Sequence, residues 1–241
     1  MLELRGVSKS FGGVSAVEDV DLEVRRGEIV GLIGPNGAGK TTLFNLIAGV
    51  FKPTRGTVKF QGKDITGQRP HRVSRAGIAR TFQIVKPFGN LSVLENVMVG
   101  AFHQGPLPGA ARREAARILK MVGLARRADV PARTLTIGER KRLELARALA
   151  IKPQLLMIDE VMAGLNPKET QETMALVRAV RDQGLTVLMI EHNMTAVMSL
   201  SDRIAILHHG KKIAEGPPAV IAKDEKVIQA YLGEEYAVVD G

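Results

Sequence analysis

Apolar residues along the chain follow both the strand period and the helix period, which together predict an α/β fold. Alternating apolar positions over 2–7 and 17–24 predict two antiparallel strands joined through Gly12 and Gly13. Continuous apolar runs, typical of strands buried on both faces, predict further strands over 28–33, 155–158 and 185–190. Glycine turns set off shorter predicted strands over 56–62 and 78–83 and a hairpin of 203–208 with 211–215.

The helical period dominates between residues 91 and 150. Apolar stripes there predict three helices, marked by Val93, Leu94, Val97 and Met98, by Ile118, Leu119 and Val122, and by Leu143, Ala146, Leu149 and Ala150. Strand patterns lie on both sides of this stretch. We therefore predict one domain, in which a helical subdomain (91–150) is inserted into an α/β core (1–90 and 151–241) that includes an antiparallel β subdomain.

Helices outside this stretch have local start signals. One is predicted over 41–50. Another follows Asn166, which can cap it, with Pro167 in the first position and Glu169 completing a capping box. The tail, 217–232, predicts two short helices.

Composition indicates a folded protein without cysteine chemistry. The chain has 241 residues, 45% of them hydrophobic, and no cysteine. A sizeable core can be buried, and disulfides, thiolate metal sites and cysteine nucleophiles are excluded. The N-terminus lacks the layout of a signal peptide, and no apolar run approaches the roughly 18 residues that span a bilayer. We expect the protein to be soluble when isolated.

Most of the net charge of +9 lies between 110 and 150, where eleven Lys and Arg residues against four Asp and Glu residues leave +7. Such a patch suits nucleic acid, anionic lipid headgroups or an acidic protein surface, and a solvated helical face explains it equally well. No aromatic residue lies in this stretch, so it lacks the platforms on which single-stranded nucleic acid stacks.

A phosphate-binding loop follows the predicted strand 28–33. Residues 34–41 match Gly-x4-Gly-Lys-Ser/Thr and lead into the predicted helix 41–50. Backbone N–H groups of such a loop, together with the positive end of the helix, bind a triphosphate. Lys40 is expected to reach the β- and γ-phosphates, and the Thr41 hydroxyl to hold Mg2+. The predicted nucleotide-binding residues of the loop are Gly34, Pro35, Asn36, Gly37, Ala38, Gly39, Lys40, Thr41 and Thr42.

Two later strands end on polar residues that suit the same chemistry. Because parallel strands end at one edge of a sheet, Asp159 is expected beside the nucleotide as a Mg2+ ligand. Glu160 follows it and can polarise the attacking water. The alternative is a pair of carboxylates that cap a strand in solvent. His192 ends the next strand and can touch the γ-phosphate, although a lone histidine is more often structural.

As a set, these motifs resemble the nucleotide-binding subunits of ATP-binding cassette (ABC) transporters over nearly the whole chain. The resemblance implies ATP hydrolysis with Lys40, Glu160 and His192 as catalytic residues, and ATP and Mg2+ as cofactors. Gln83 resembles the family's glutamine at the metal, and Phe11 the aromatic residue that stacks on adenine, the alternative being an ordinary strand-end core residue. Four residues resemble the signature motif of this family, and the resemblance implies that they contact the ATP of a second ATPase subunit. They are Thr136, Ile137, Gly138 and Glu139.

The amino-acid sequences of several motifs resemble one branch of this family, the ATPases of branched-chain amino-acid importers. The stretches concerned are 79–83, 91–97, 163–167 and 227–233. This resemblance implies a pair of identical or similar ATPase subunits beneath two membrane permeases, served by an extracytoplasmic solute-binding protein, at the cytoplasmic face of the inner membrane. Urea importers and a lipopolysaccharide-exporting relative share much of this wording, so the solute and an exporter function stay open.

The signature departs from the family pattern in three places. Thr136 replaces serine and keeps the hydroxyl, and Ile137 replaces a glycine. Glu139 replaces glutamine and puts a carboxylate near the partner's γ-phosphate, which weakens the sandwich unless the basic residues 140–142 offset it. A regulatory module that binds ATP and turns over slowly is therefore one alternative.

A soluble cassette protein acting on nucleic acid or ribosomes is the other alternative. It would explain the basic balance of the chain. Such proteins usually join two cassettes in one chain or carry long coiled coils, and the sequence has neither. We therefore expect no nucleic-acid partner.

Overall fold

The computed structural model describes residues 1–82, 86–105, 107–227 and 229–230. Its strands are β1 (Leu2–Phe11), β2 (Val14–Val24), β3 (Ile29–Ile33), β4 (Arg55–Phe60), β5 (Lys63–Asp64), β6 (Ile78–Arg80), β7 (Leu155–Asp159), β8 (Thr186–Ile190), β9 (Arg203–His208) and β10 (Lys211–Gly216). Its helices are α1 (Lys40–Ile47), α2 (Pro70–Arg75), α3 (Val93–Ala101), α4 (Pro108–Met121), α5 (Ile137–Ala150), α6 (Pro167–Asp182), α7 (Met194–Leu200) and α8 (Pro218–Ile221).

The larger sheet places the predicted chemistry at one edge. Its strand order is β10-β9-β3-β8-β7-β6, parallel except for β10. Ile190 near the end of β8 pairs with Leu32 of β3 on one side and with Asp159 of β7 on the other. The loops that follow β3, β7 and β8 therefore leave the sheet side by side, as expected for a parallel sheet.

Both faces of this sheet are buried, which explains the continuous apolar runs in its strands. Along β3, Ile29 and Ile33 face one hydrophobic cluster, while Val30 and Leu32 face another. The first cluster also contains the apolar stripes of α3, α4 and α5, and the second contains the smaller sheet and α1. One layer of parallel strands thus separates two cores.

The smaller sheet has the order β2-β1-β4-β5 and is antiparallel throughout. Leu2, Leu4 and Val7 of β1 point into the second cluster. The hairpin of β1 and β2 extends further than the predicted strands, since pairing continues to Phe11 and Val14.

Helices α3, α4 and α5 pack against one another. Gly100 of α3 is so close to α5 that a Cβ added there would lie 2.6 Å from the carbonyl oxygen of Arg147.

The capping box of α6 is confirmed, because the Asn166 side chain accepts the N–H of Glu169 and the Glu169 carboxylate accepts the N–H of Asn166. The bounds of the inserted helical subdomain stay a prediction.

Short elements are the main differences from the sequence prediction. The helices α2 and α7 and the two-residue strand β5 were not predicted. Pro108 occupies the first turn of α4, where its missing N–H costs nothing. Among the residues that the structure describes, no helix is both long enough and apolar enough to cross a membrane.

Candidate nucleotide-binding site

The phosphate loop joins β3 to α1, and two of its glycines are required by the backbone. Gly34 has φ +153°, and a Cβ there would lie 2.0 Å from the carbonyl oxygen of Leu207. Gly39 caps α1 in the left-handed region, with φ +99°, and a Cβ there would lie 2.4 Å from the carbonyl oxygen of Ala16. No side chain caps α1, so the N–H groups of its first turn point into the loop. This is the geometry of an anion site.

Lys40 is anchored across the loop. Its ammonium donates to the carbonyl oxygens of Gly34 at 2.6 Å and Pro35 at 2.7 Å, and the side chain is buried. The positive charge of Lys40 therefore lies inside the curve of the loop and not in bulk water. In that place it interacts most strongly with phosphate.

A cavity of about 270 Å³ opens above the loop. Glu160 and His192 both line this cavity, together with the phosphate loop. The other lining residues are Ala16, Asn36, Gly37, Ala38, Gly39, Lys40, Thr41 and Thr42. The predicted catalytic residues, which lie far apart in the sequence, therefore surround one space at the sheet edge.

Glu160 has an unusual backbone conformation. Its φ is +49°, in the left-handed region that non-glycine residues rarely adopt. Its N–H donates to the carbonyl oxygen of Ile190 at 2.9 Å. One carboxylate oxygen, Oε1, lies 3.1 Å from Nε2 of His192. The turn at Glu160 thus directs its side chain toward the end of β8 and into the cavity.

Asp159 is almost fully buried at the end of β7. Its Oδ2 accepts from Arg80 at 2.7 Å, and its N–H donates to the Thr81 hydroxyl at 3.0 Å. Its Oδ1 is buried without a hydrogen-bond partner. Arg80 also donates to the Asn45 side chain at 2.5 Å, so it fixes the orientation of the carboxylate.

The side chains of Asp159 and Thr41 fit a Mg2+ site. Both line a second cavity, of about 460 Å³, and both offer the hard oxygen ligands that Mg2+ prefers. The unpartnered Oδ1 of Asp159 is the oxygen available to a cation. No group of three or more His, Asp or Glu residues within the described ranges could hold a metal by itself. Mg2+ in nucleotide sites commonly takes one or two carboxylates and completes its shell with phosphates and water.

Glu191 follows the last residue of β8 and directly precedes His192. It is 2% exposed, and burial raises the pKa of its carboxyl to about 7, while the Met162 N–H and the charge of Lys141 act in the opposite direction. Oε1 of Glu191 accepts the Met162 N–H at 2.9 Å. Its role is therefore to hold the segment that follows Glu160.

The predicted signature lies at the start of α5. Thr136 caps this helix, and its hydroxyl accepts the N–H of Glu139 at 3.2 Å. Ile137 is 64% exposed, whereas a Cβ on buried Gly138 would lie 2.3 Å from a carboxylate oxygen of Glu169. None of the described residues that line the cavity above the phosphate loop comes from this signature.

Comparison with known proteins identifies the family. The family model described as "ABC transporter" matches residues 17–163, and the one described as "Branched-chain amino acid ATP-binding cassette transporter" matches residues 211–237. The chain belongs to the ABC transporter family. The prediction of an ABC ATPase is thereby confirmed.

Relatives and solved structures support this family along the whole chain. The high-affinity branched-chain amino acid transport ATP-binding protein BraF of Pseudomonas aeruginosa is 41% identical, covering 97% of this chain and 98% of BraF. The ADP conformation of a cassette from an ABC transporter has a TM-score of 0.88 at 32% identity, covering 97% of this chain and 98% of that one. A dimeric cassette bound to ADP and Pi has a TM-score of 0.82 at 28% identity, covering 90% and 99%. The predicted fold is confirmed.

Two predicted nucleotide contacts of this ABC cassette stay predictions. Gln83 lies outside the described residues. Phe11 ends β1, is 44% exposed, and packs edge-on against Phe51 with ring centroids 5.2 Å apart. That exposure does not fit the alternative of an ordinary core residue, and it leaves the ring accessible to a base.

The charge of Glu139 is offset by a residue that sequence reasoning missed. Its Oε2 accepts the Thr136 N–H at 2.9 Å, and Oε1 pairs with Arg127 at 3.1 Å. The expected offset by residues 140–142 is not what the structure shows, since Arg140 donates to the Arg133 carbonyl and Arg142 to Glu172. Only the folded arrangement brings Arg127, twelve residues earlier, to the signature.

Several basic side chains between residues 110 and 150 of the ABC cassette are buried or paired with carboxylates. Lys141 is buried, and four of the arginines form ion pairs, namely Arg117 with Glu114, Arg127 with Glu139, Arg142 with Glu172 and Arg147 with Glu144. Much of the charge between 110 and 150 therefore serves the fold. Arg80, Thr81 and Lys141 also contact the candidate site, and sequence reasoning assigned none of them a role there.

Proposed function

We propose that this chain is the ATP-hydrolysing subunit of an importer for branched-chain amino acids or a related small polar solute. The observation that carries the proposal is the cavity in which the phosphate loop, Glu160 and His192 meet, in a chain 41% identical to a branched-chain amino acid transport ATP-binding protein. The family match at residues 211–237 supports the same class of solute.

ATP binds with its phosphates in the loop of residues 34–42. The loop N–H groups and the start of α1 face the β- and γ-phosphates, and Lys40 neutralises part of their charge. Phe11 stacks on the base. Thr41 and Asp159, which line one cavity, would hold Mg2+ together with Gln83, and the ion would screen the charge on the transferred phosphoryl group.

Hydrolysis requires a water in line with the bond to the γ-phosphate. The carboxylate of Glu160 accepts a hydrogen bond from this water and orients it for attack. The ring of His192, whose Nε2 lies 3.1 Å from the same carboxylate, has one N–H in its neutral form, and this donor turns from Glu160 to the γ-phosphate when ATP fills the cavity. The bond to the γ-phosphorus forms from the water oxygen, a proton of the water passes to Glu160, and the bond from the γ-phosphorus to the bridging β-phosphate oxygen breaks, which yields ADP and phosphate.

Two ATPase subunits share each nucleotide. The signature residues, Thr136 to Glu139, lie outside the chain's own loop cavity, so they are available to a second subunit's ATP. A solved cassette of this fold is described as a dimer bound to ADP and Pi, which supports the pairing. Closing and opening of the pair is the step that drives transport.

The remaining partners follow from the importer function. The pair works at the cytoplasmic face of the inner membrane, beneath two permease subunits that receive solute from an extracytoplasmic binding protein. The helical stretch 91–150 meets the permeases, and no nucleic acid takes part.

Calorimetry with magnesium-ATP tests the site. The parent chain should release heat on binding, whereas Lys40→Ala should show little or none. Lys59→Ala, which removes an exposed lysine on β4, is the matched control and should bind like the parent. Equal binding by Lys40→Ala and the parent would refute the proposed site.

Uptake by cells tests the solute. Deleting the gene should lower uptake of labelled leucine, and the parent chain should restore it while Glu160→Gln should not. Unchanged leucine uptake after deletion would refute branched-chain amino acids as the solute and leave the ATPase site to be judged by calorimetry alone.

A further inference from the structure

Lys141 links the signature helix α5 to the catalytic turn of the same chain. It lies five residues after Thr136, and its ammonium donates to the backbone carbonyl oxygen of Glu160 at 2.6 Å. Only 9% of the residue is exposed. A lysine buried to this extent loses hydration, so its partners must compensate the charge.

The surroundings of Lys141 supply this compensation. The charge of Lys141 acts on the buried carboxyl of Glu191, and Glu191 accepts the Met162 N–H at 2.9 Å. Lys141 therefore holds the carbonyl of residue 160, and Glu191 holds the N–H of residue 162. Both side chains grip the backbone of one three-residue turn.

That turn needs such support because its first residue is strained. A non-glycine residue at φ +49°, as observed for Glu160, is rare and persists only where the surroundings impose it. The orientation of the Glu160 carbonyl and the direction in which its side chain leaves the backbone depend on the same backbone angles. Holding the carbonyl therefore restrains the Cα–Cβ bond of Glu160, and the contact with His192 orients the carboxylate beyond it.

We propose that Lys141 is a positioning residue for hydrolysis, which sets the direction of the Glu160 carboxylate through the Glu160 carbonyl. The inference rests on the proposed role of Glu160. Because Lys141 is on the helix whose first turn contacts the partner's ATP, a shift of α5 on dimer closure moves the carbonyl that it holds. Engagement of one subunit's signature is thereby transmitted to the catalytic carboxylate of that same subunit.

Steady-state ATPase kinetics on purified full-length variants tests this role. Lys141→Met keeps the aliphatic stem and removes the donor, and it should lower kcat about a hundredfold, the loss expected from misplacing a catalytic group by about 1 Å. KM and the calorimetric Kd for magnesium-ATP should stay within about threefold of the parent, since Lys141 touches no nucleotide-binding residue of the loop in the described contacts. Lys141→Arg keeps a cationic donor and should recover most of kcat.

Two controls separate this inference from its alternatives. Lys120→Met removes an exposed lysine on the neighbouring α4 and should behave like the parent. Glu160→Gln should abolish turnover; if it does not, the proposed role of Glu160 fails, whatever Lys141 does. If Glu160→Gln is inactive and Lys141→Met keeps parental kcat, the positioning role is refuted while the proposed function stands.

The remaining outcomes also decide. Loss of ATP affinity in step with kcat, or equal loss in Lys141→Met and Lys141→Arg, overturns the proposal. If Lys141→Met does not fold, Lys141→Leu, which also removes the donor but on a shorter apolar stem, takes its place. A kcat for Lys141→Leu below that of Lys141→Arg, at unchanged Kd, supports the role, and parental kcat refutes it.

Discussion

Nε2 of His192 lies 3.1 Å from Oε1 of Glu160, although the two residues end different strands and are separated by 32 positions. The contact joins the group proposed to orient water to the group proposed to face the γ-phosphate. On this proposal, the two side chains act together.

Glu160→Gln should keep this contact and lose the basicity of the carboxylate. We expect kcat for ATP hydrolysis to fall by about 10²–10⁴-fold, the usual contribution of a general base, with ATP binding retained. Size-exclusion chromatography with magnesium-ATP should show a stable dimer of the variant. Glu23→Gln, on an exposed position of β2, is the control. Adding His192→Ala to Glu160→Gln should cost little more, because members of one catalytic unit are not additive.

Two glycines of the phosphate loop allow a matched comparison of stability. Gly34→Ala places a Cβ 2.0 Å from the Leu207 carbonyl oxygen, whereas Gly37→Ala, at φ +78°, places it in open space. We expect a cost of about 1 kcal/mol for Gly37→Ala from backbone strain, and more than about 3 kcal/mol for Gly34→Ala from strain and overlap together. Urea unfolding measures both. Equal losses of unfolding free energy would show that the overlap at residue 34 is relieved at no cost in stability.

The buried carboxyl of Glu191 should make stability depend on pH. Burial raises its pKa from an ordinary value near 4.5 to about 7, so the folded state binds more protons than the unfolded state between these values. Its contribution to stability is therefore full below about pH 4.5 and is lost as the pH rises to about 7, a change of roughly 3 kcal/mol. Glu191→Gln should flatten the profile of unfolding free energy over this range.

Urea titrations of both chains at several pH values from 5 to 8 measure this difference. The informative quantity is the gap between the two chains, because other groups titrate in both. A constant gap across the range would contradict a raised pKa for Glu191.

Arg127 should matter through the charge of Glu139. The pair is 3.1 Å apart and partly exposed, so losing it should change stability by no more than about 1 kcal/mol. Arg127→Ala leaves the Glu139 carboxylate uncompensated toward the partner's phosphate and should slow turnover several-fold. In the Glu139→Gln background the same change should have no effect on turnover. Equal effects in both backgrounds would mean that Arg127 acts independently of Glu139.

The features that sequence predicted well are those with local signals. The phosphate loop, the apolar strands and the capping box of α6 each depend on residues a few positions apart, and the structure contains all of them. The meeting of Glu160 and His192 was predictable as well, since parallel strands gather their ends at one edge.

Features that depend on tertiary contacts were not predictable in the same way. Lys141 and Arg127 belong to a run of basic residues whose composition indicates a surface patch, yet one is buried against Glu160 and the other paired with the signature. The helix α7 was missed because it is only seven residues long, although Asn193 gives a local cap signal by accepting the Ala196 N–H.

Ile137 stands out from the surface beside buried Gly138, on the turn that a second copy would approach. Because the chain contains no cysteine, Ile137→Cys would introduce its sole thiol at that place. A spin label attached there would report inter-subunit distances by electron paramagnetic resonance without background, and so follow the opening and closing of the pair through each turnover.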